Sequence, residues 1–253
     1  MIEARGLSIG YGRRMVASAI DFAVGIGEVL CILGPNGSGK TTLFKTLLGL
    51  LPPLAGDVRL NGAEIASHTR REIAHRISYV PQAHAPVFSY SVFDLVLMGR
   101  TAHLGPFSNP SARDNEKALA ALQSLGIAAL ADADATRISG GQLQLALIAR
   151  ALAQEAHIIV MDEPTASLDF GNKLIVLDHI RRLAARGFSI ILSTHEPEHA
   201  FDLADRVALI ARGELAAIGS PDATLTGERL SQVYGVPLRI ECTCSSYRVV
   251  RPK

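Results

Sequence analysis

Five short apolar runs, rich in β-branched residues, constrain the fold of this chain more than any other feature. The runs are Val29–Leu33, Ile77–Val80, Ile158–Met161, Ile190–Ser193 and Val207–Ile210. Polar or glycine-rich turns bound each run, as expected of strands buried on both faces. Between the runs, apolar residues recur at helical spacing and predict buried helix faces. Those residues are Leu43, Phe44, Leu47 and Leu48, and then Phe170, Leu174, Leu177, Ile180/Arg181 and Ala184. This alternation predicts an α/β fold with a mostly parallel central sheet.

The interval from about Ser91 to Ala135 breaks the alternation. It is typical of a helix, a loop at residues 105–110 and an Ala/Leu-rich helix up to Leu125. We predict one domain over residues 1–253, with a core at 1–90 and 155–220 and an inserted helical subdomain at 91–154. Residues 221–253 are expected to form a short helix and a solvated basic tail from Arg239 to Lys253.

Composition and charge exclude several classes of protein. The 253 residues are 48% hydrophobic, which excludes a disordered or fibrous chain. With 25 Lys+Arg against 24 Asp+Glu, the net charge of +1 gives no chain-wide reason to bind nucleic acid or an anionic membrane. No apolar stretch reaches the roughly 20 residues of a spanning helix, and the first residues lack the apolar segment of a signal peptide. We therefore expect a cytosolic location, with the three cysteines reduced.

A phosphate-binding loop follows the first buried run. The residues Gly34-Pro35-Asn36-Gly37-Ser38-Gly39-Lys40-Thr41 fit the pattern GxxxxGK[ST], with Thr42 next in the chain. The glycines allow successive backbone N–H groups to turn toward a phosphate, and the helix N-terminus adds partial positive charge. Lys40 can neutralise β- and γ-phosphate oxygens, and the Thr41 hydroxyl can bind Mg²⁺.

Two carboxylates follow another buried run. Asp162 and Glu163 come directly after Ile158–Met161, at the carboxyl end of the strand, where α/β sheets bind ligands. Asp162 is suited to hold Mg²⁺ and Glu163 to polarise an attacking water. A P-loop and an acidic strand end predict a nucleoside triphosphatase, although metabolic kinases share this pair of features.

Arg137-Ile138-Ser139-Gly140-Gly141-Gln142 narrows the choice, because it resembles the LSGGQ signature of ATP-binding cassette (ABC) ATPases. Ser139 and the glycines begin a helix and expose N–H groups, as a second phosphate-binding helix start would. In that family two cassettes pair head to tail, and one chain's signature closes over ATP held by the other's P-loop. The resemblance thus implies an N-terminal antiparallel β region, ATP and Mg²⁺ as cofactors, and a homodimer. Leu143 and Leu145 depart from the pattern, since these positions are often Arg in the family.

Four other positions resemble the remaining loops of the family. Tyr11 stands where an aromatic side chain stacks on adenine. Gln82 resembles the Q-loop glutamine, which touches Mg²⁺ and the membrane subunit. Asp169 ends the D-loop-like residues 166–169, which cross the dimer interface, and His195 resembles the switch histidine that contacts the γ-phosphate.

The resemblance assigns roles to all these residues. Catalysis is expected from Glu163, His195 and Gln82. Mg²⁺ is expected at Thr41, Gln82 and Asp162. Nucleotide binding is expected at Tyr11, at residues 34–42, at Ser139, Gly140, Gly141 and Gln142, and at Asp169.

A zinc-peptidase motif is an alternative interpretation of the segment that begins at His195. The residues from His195 to His199 fit H-E-x-x-H, which requires both histidines on one helix. Pro197 lacks a backbone N–H and suits the first helical position. We therefore expect the helix to begin at Pro197 and to leave His195 outside it, which disfavours zinc.

The leading functional hypothesis is the ATPase subunit of an ABC importer that works with two separate membrane permease subunits. It would lie peripherally at the cytoplasmic face of the membrane and depend indirectly on an extracytoplasmic substrate-binding protein. The segment from Val87 to Arg100 resembles the metal-chelate importers, whose cargoes include iron–siderophores, haem, cobalamin and molybdate. We expect Val87, Phe88, Tyr90, Val92 and Phe93 to form the docking surface for the permease. A soluble ABC ATPase that acts on nucleic acid or ribosomes is the alternative, and a metabolic kinase leaves Ser139–Gln142 unexplained.

Overall fold

The computed structural model describes residues 1–83, 88–105, 107–242 and 248–252, which form a mixture of strands and α-helices. The strands are β1 (Ile2–Tyr11), β2 (Arg14–Val24), β3 (Val29–Leu33), β4 (Ala55–Leu60), β5 (Ala63–Glu64), β6 (Ile77–Val80), β7 (Ile158–Met161), β8 (Ser189–Thr194), β9 (Arg206–Ala211), β10 (Glu214–Gly219), β11 (Leu238–Cys242) and β12 (Arg248–Pro252). The α-helices are α1 (Lys40–Leu47), α2 (Arg70–Ala74), α3 (Val92–Leu97), α4 (Ala112–Ser124), α5 (Gly140–Ala153), α6 (Phe170–Ala185), α7 (Pro197–Leu203), α8 (Pro221–Thr224) and α9 (Gly227–Tyr234). Short 3-10 helices occur at Ile65–Ser67, Met98–His103 and Ala128–Leu130.

The chain divides into two compact units. Unit 1 comprises Met1–His68 and Ala184–Lys253, and unit 2 comprises Thr69–Leu183. In unit 1 the strand order is β5-β4-β1-β2-β10-β9-β3-β8. The N-terminal strands β1, β2, β4 and β5 pair antiparallel, whereas β3 pairs parallel with both β8 and β9. The predicted mixed sheet with an antiparallel N-terminal region is confirmed.

Unit 2 contains a parallel strand pair and a packed group of helices. β6 and β7 pair in parallel from Ile77 opposite Ile158 to Val80 opposite Met161. Helices α3, α4 and α5 pack on one another. The loop and helices expected between Ser91 and Leu125 are present, with Pro106 outside the described residues. The division into core, subdomain and tail at residues 91, 155 and 221 remains a prediction.

Local sequence signals set where the helices of unit 2 begin. Ser91, Ser111 and Ser139 each accept a hydrogen bond from the backbone N–H three residues later, and the side chain at that later position bonds back to the serine N–H. Thr69 does the same at the start of α2. Each pair is a capping box, which satisfies two of the backbone donors left unpaired at a helix start.

A buried arginine connects three segments of unit 2. The Arg100 side chain is 4% exposed, and its Nε donates to Asp114 Oδ1 over 3.0 Å. Its Nη1 donates to the Ala153 carbonyl over 2.6 Å and to Glu155 Oε2 over 2.8 Å. Hydrogen bonds from Ser111 and then from Arg100 lower the pKa of Asp114. This network joins the 3-10 helix at Met98–His103 to the start of α4 and the end of α5.

The predicted apolar face of α6 is wrong in its first turn. Leu177 and Ile180 are buried as expected, but Phe170 is 77% exposed and Leu174 is 49% exposed. Val176 and Leu183 are buried with Leu177 and Ile180, so the buried stripe begins almost two turns after the start of the helix.

Two expectations about surfaces also change. At residues 238–242 and 248–252 the expected tail is instead a pair of antiparallel strands, β11 and β12, which packs on α9 and α7, although Arg239 and Arg251 are exposed as expected. Among the residues expected to form the docking surface, the prediction is wrong for Val92, because Val92 is fully buried at the start of α3. Phe88 is 67% exposed. Tyr90 and Phe93 are half-buried, and Val87 lies outside the described residues.

No α-helix within residues 1–83, 88–105, 107–242 or 248–252 has the length and hydrophobicity needed to cross a membrane.

Helix α4 offers a matched pair of leucines that tests the helical packing. Leu122 is 0% exposed and Leu119, on the same helix, is 40% exposed. We expect Leu122→Ala to cost about 2–5 kcal/mol of unfolding free energy, because it leaves a cavity in the core. Leu119→Ala should stay within about 0.5–1 kcal/mol of wild type. Urea unfolding of both variants measures the difference, and equal losses would contradict the packing of α4 described here.

Candidate functional site

Strand pairing in unit 1 brings two of the predicted site segments to one edge of the sheet. β3 and β8 are parallel neighbours, and Leu33 at the end of β3 pairs with Thr194 at the end of β8. Gly34 and His195 are the next residues of the two segments, so the P-loop and the predicted switch histidine leave the sheet at the same edge. Ligands of open α/β sheets bind at such carboxyl ends.

Two glycines of the P-loop occupy positions that a side chain could not take without strain. A Cβ on Gly34 would lie 2.3 Å from the Ile210 carbonyl oxygen of β9. Gly39 precedes α1 with φ +102, in the left-handed region, and a Cβ there would lie 2.8 Å from Val16 Cγ1. The loop therefore lies directly against its neighbouring strands.

The polar groups of the loop suit a polyphosphate. Lys40 is 6% exposed, and its Nζ donates to the carbonyl of Gly34 over 2.8 Å and to that of Pro35 over 3.2 Å. Ser38 is buried, and its Oγ has no hydrogen-bond partner among the described residues. The N-terminus of α1 adds partial positive charge beside these groups. A buried ammonium, a hydroxyl without a partner among the described residues and a helix N-terminus have the chemistry to receive anionic oxygen atoms.

Tyr11 lies beside the helix that follows the P-loop. It ends β1, its side chain is 47% exposed, and its hydroxyl accepts a hydrogen bond from Thr42 Oγ1 over 3.5 Å. That hydrogen bond, with the charge of Lys45, lowers the pKa of Tyr11. An exposed ring held at the first turn of α1 can offer a stacking face to a nucleobase.

The segment around His195 does not have the geometry of a zinc-peptidase helix. α7 begins at Pro197, as predicted, so His195 lies outside the helix. His199 is 7% exposed, with Nδ1 3.4 Å from Thr194 Oγ1 and Nε2 3.3 Å from Glu196 Oε2. No group of three His, Cys, Asp or Glu side chains in the described residues could hold a metal ion.

In unit 2, the parallel pairing of β6 with β7 brings the Q-loop and the acidic residues together. Val80 pairs with Met161, and Asp162 N donates to the Val80 carbonyl over 2.9 Å. Gln82 and Asp162 therefore follow the same edge of the strand pair. Glu163 has φ +46, a left-handed backbone that is uncommon for a residue other than glycine.

Tyr79 is a partner of the acidic residues that the sequence did not suggest. Its hydroxyl donates to Asp162 Oδ2 over 3.5 Å, and Asp162 itself is 5% exposed. Burial, together with the negative charge of Asp162, raises the pKa of Tyr79 to about 12. The phenol therefore keeps its proton and can donate it in a hydrogen bond to the carboxylate. In the sequence, Tyr79 could not be distinguished from a core residue of its strand.

The signature segment begins α5 through a capping box. The Ser139 Oγ accepts from Gln142 N over 3.2 Å, and Gln142 Oε1 accepts from Ser139 N over 2.9 Å. Ser139 and Gly140 are exposed, whereas Gly141 is buried. The exposed start of this 14-residue helix can receive an anion from outside the unit.

The D-loop-like segment lies next to the signature. Asp169 accepts two hydrogen bonds from Asn172, one from its backbone N over 2.8 Å and one from its Nδ2 over 2.7 Å. These bonds lower the pKa of Asp169. A Cβ on Gly141 would lie 2.3 Å from Asn172 Cγ, so the signature glycine and Asn172 are in contact. Asn172 is a second neighbour of the site that the sequence did not identify.

The two leucines that depart from the family pattern lie inside unit 2. Leu143 is 6% exposed and Leu145 is 8% exposed. Gln144 between them is 1% exposed, and its Nε2 has no hydrogen-bond partner among the described residues. The apolar residues at 143 and 145 therefore contribute to the packing of α5.

Comparison with known proteins identifies the family. The family model for ABC transporters matches residues 17–166, more than half of the chain. An uncharacterised ABC transporter ATP-binding protein of Haemophilus influenzae is 42% identical over 234 residues, covering 92% of this chain and 89% of that protein. A Helicobacter pylori protein named as an iron chelatin transport ATP-binding protein is 34% identical over 240 residues, covering 94% of each chain.

A solved structure agrees with these relatives. An inward-facing ABC transporter of metal-chelate type matches with a TM-score of 0.88 and 32% identity, covering 100% of this chain and 97% of the matched chain. That family binds and hydrolyses ATP, which accords with the phosphate-binding groups of unit 1 and the acidic strand end of unit 2. This chain belongs to the ABC transporter ATP-binding family.

Proposed function

We propose that the chain is the ATP-hydrolysing subunit of an importer for a metal chelate or a related ligand, such as an iron–siderophore, haem, cobalamin or molybdate. The observation that carries the proposal is the phosphate-binding edge of unit 1, where Lys40, Ser38 and the start of α1 lie at the strand edge from which His195 also leaves. The names of the similar proteins, an iron chelatin transport protein and a metal-chelate type transporter, support import of this class of ligand.

In this proposal, different residues would bind the nucleotide, hold the Mg²⁺ ion and activate the attacking water. The P-loop N–H groups and Lys40 would bind the β- and γ-phosphates, and Tyr11 would stack on the adenine. Thr41, Gln82 and Asp162 are the residues suited to hold Mg²⁺, which would neutralise charge on the phosphate oxygens. Water then attacks the γ-phosphorus, its proton passes to Glu163, and the bond to the β–γ bridging oxygen breaks. His195 would stabilise the γ-phosphate during this step.

The exposed start of α5 supports a head-to-tail homodimer. Ser139 and Gly140 are exposed, so the N-terminal end of α5 could face the γ-phosphate of a partner's ATP. Gly141, Gln142 and Asp169 hold this surface in place through the capping box and the contact with Asn172.

Two permease subunits are the proposed membrane partners. Phe88 is 67% exposed and its ring lies 6.3 Å from that of Tyr90, which forms a small aromatic surface shortly after Gln82. Exposed aromatic residues are typical of protein interfaces. A subunit bound there would lie peripherally at the cytoplasmic face of the membrane, and an extracytoplasmic binding protein would deliver the ligand.

A soluble ABC ATPase acting on nucleic acid or ribosomes is the alternative. The net charge of +1 gives no general attraction to a polyanion, so this alternative needs a local basic surface. The docking experiment below distinguishes the two.

The role of Glu163 is tested by Glu163→Gln, which keeps the shape of the side chain and removes the base. We expect steady ATP hydrolysis to fall by about 10²–10⁴-fold, while ATP still drives dimer formation. Phosphate release and light scattering measure the two effects, and the exposed Glu116→Gln serves as a control that should hydrolyse ATP normally. Near-normal phosphate release, or a missing ATP-dependent dimer, would contradict the assignment.

The head-to-tail site is tested by Gly140→Asp. A Cβ at Gly140 meets only Leu168 Cδ2, at an ordinary 3.6 Å, so the monomer can accommodate the side chain. A carboxylate there would repel the partner's γ-phosphate, and we expect dimerisation and hydrolysis to be lost while the monomer's nucleotide affinity is kept. Gly141→Asp is a less clean variant because it would displace Asn172.

Gly140→Asn is the matched control, since it has the same shape without the charge. It should retain more activity than Gly140→Asp. A collapse of nucleotide affinity in the monomer, or equal losses in the two variants, would count against the head-to-tail arrangement.

The docking surface is tested by Phe88→Asp in cells that also express the permease. We expect loss of permease pull-down and of transport, with basal ATPase activity kept, because Phe88 makes no phosphate contact. Met15→Asp, at another apolar residue that is 60% exposed, should bind the permease normally. Val92→Asp cannot be used, because a charge at this fully buried position would destabilise the subdomain. Unchanged assembly and transport in Phe88→Asp would place the docking surface elsewhere on the chain, whereas a wild-type chain that neither binds the permease nor supports transport would favour the soluble alternative.

A further inference from the structure

The C-terminal segment of unit 1 is attached to the loop that carries His195. Tyr234 is the last residue of α9, and its hydroxyl donates to the His195 carbonyl over 3.0 Å. The two residues are 39 positions apart in the sequence. The contact therefore depends on how the C-terminal segment folds back on the sheet edge.

Helix α9 holds Tyr234 in a fixed place. Thr226 caps the start of the helix, and Gly235 ends it with φ +73. Ser231 Oγ accepts from Leu238 N over 2.7 Å, which ties the first strand of the β11–β12 hairpin to α9. Both ends of the helix and its connection to the hairpin are thus fixed by hydrogen bonds.

The second strand of the hairpin is bound to α7, the helix that follows His195. Val250 N donates to Glu198 Oε1 over 3.0 Å, in the first turn of α7. The Arg248 guanidinium lies 5.5 Å from the centre of the Phe201 ring, within the range of a cation–π contact. Arg248 Nε also lies 2.6 Å from Asp222 Oδ1, an ion pair with α8.

The exposed His195 lies between two anchored elements. On one side, β8 is fully buried and pairs with β3. On the other side, Glu196 N donates to Thr194 Oγ1 over 3.1 Å and α7 is held by the hairpin. Tyr234 bonds the carbonyl of His195 itself, which limits rotation of the peptide that follows it.

We propose that Tyr234 is a positioning residue for His195 and that the hairpin formed by β11 and β12 supports it by fixing α7. The proposal rests on the proposed function, in which His195 stabilises the γ-phosphate during hydrolysis. An imidazole aimed by a fixed backbone stabilises the transition state without reorganisation. Loss of the Tyr234 hydroxyl therefore lowers kcat and leaves ATP binding, which depends on the P-loop, nearly unchanged.

Tyr234→Phe removes only the hydroxyl and is the main variant. We expect kcat for ATP hydrolysis to fall about three- to tenfold, the factor that corresponds to one net hydrogen bond, with KM within about twofold of wild type. Glu198→Gln weakens the second attachment without touching Tyr234 and should lower kcat in the same direction. Arg239→Gln is the matched control, because it breaks an exposed 2.8 Å ion pair with Glu241 inside the hairpin and no contact with α7.

A double-mutant cycle with His195→Ala separates positioning from general stability. If Tyr234 acts through His195, Tyr234→Phe should cause little further loss in the His195→Ala background. The proposal is overturned if Tyr234→Phe has normal kcat, if it lowers kcat by the same factor with and without His195, or if Arg239→Gln causes an equal loss.

Failure of the proposed function would look different. A wild-type chain without ATPase activity would remove the basis of both proposals, and a fully active His195→Ala variant would remove the role of His195 on which the positioning proposal rests. An active wild type that depends on His195, combined with a normal Tyr234→Phe, would overturn the positioning role alone. Thermal unfolding of each variant confirms that the comparison is made between folded proteins.

Discussion

The parallel pairing of β3 with β8 is the constraint on which the proposed phosphate-binding part of the structure depends. This register places Leu33 opposite Thr194, so the P-loop and the loop of His195 begin side by side. β9 pairs on the other edge of β3, and its Ile210 carbonyl leaves no room for a Cβ on Gly34. A shift of one residue in either pairing would turn each strand's side chains to the other face and move the loop away from His195.

A left-handed backbone occurs at two residues of the acidic loop, among six such non-glycine residues in the described part of the chain. Glu163 has φ +46 and Ser167 has φ +61, although neither is glycine. Such conformations cost about 1–2 kcal/mol each and persist only where the surroundings determine them. At Glu163 the surroundings are the pairing of β7 with β6, the bond from Asp162 N to the Val80 carbonyl, and the bond from Ala166 N to the Glu163 carbonyl.

The C-terminal segment, including α9 and the hairpin, contacts the part of the chain around His195. In the sequence, residues after Arg239 resemble an ordinary basic end, and no motif connects them with the nucleotide. In the structure, Tyr234 and Val250 bond to the His195 loop and to α7. The C-terminal segment, which matches no family motif, is thus in contact with the loop that carries the switch-like His195.

Much of the fold could be predicted because its signals are local. The strands are short runs whose apolar residues need burial on both faces, and Ser91, Ser111 and Ser139 mark helix starts through hydrogen bonds that reach only three residues along the chain. The first turn of α6 was predicted wrongly, because periodicity shows that a helix has an apolar face but not which part of that face another element covers.

The sequence alone determined the strand and helix alternation, the P-loop, the acidic strand end, the signature and the family, because each depends on residue types at fixed spacing. Only the tertiary structure decided that Tyr79 bonds Asp162, that Asn172 contacts Gly141, that Val92 is core, and that Tyr234 bonds the His195 loop. The physical reason is the range of the interactions. Contacts between residues tens or more positions apart form only when the chain closes large loops, and nothing in the local pattern records which of many possible closures has the lowest free energy.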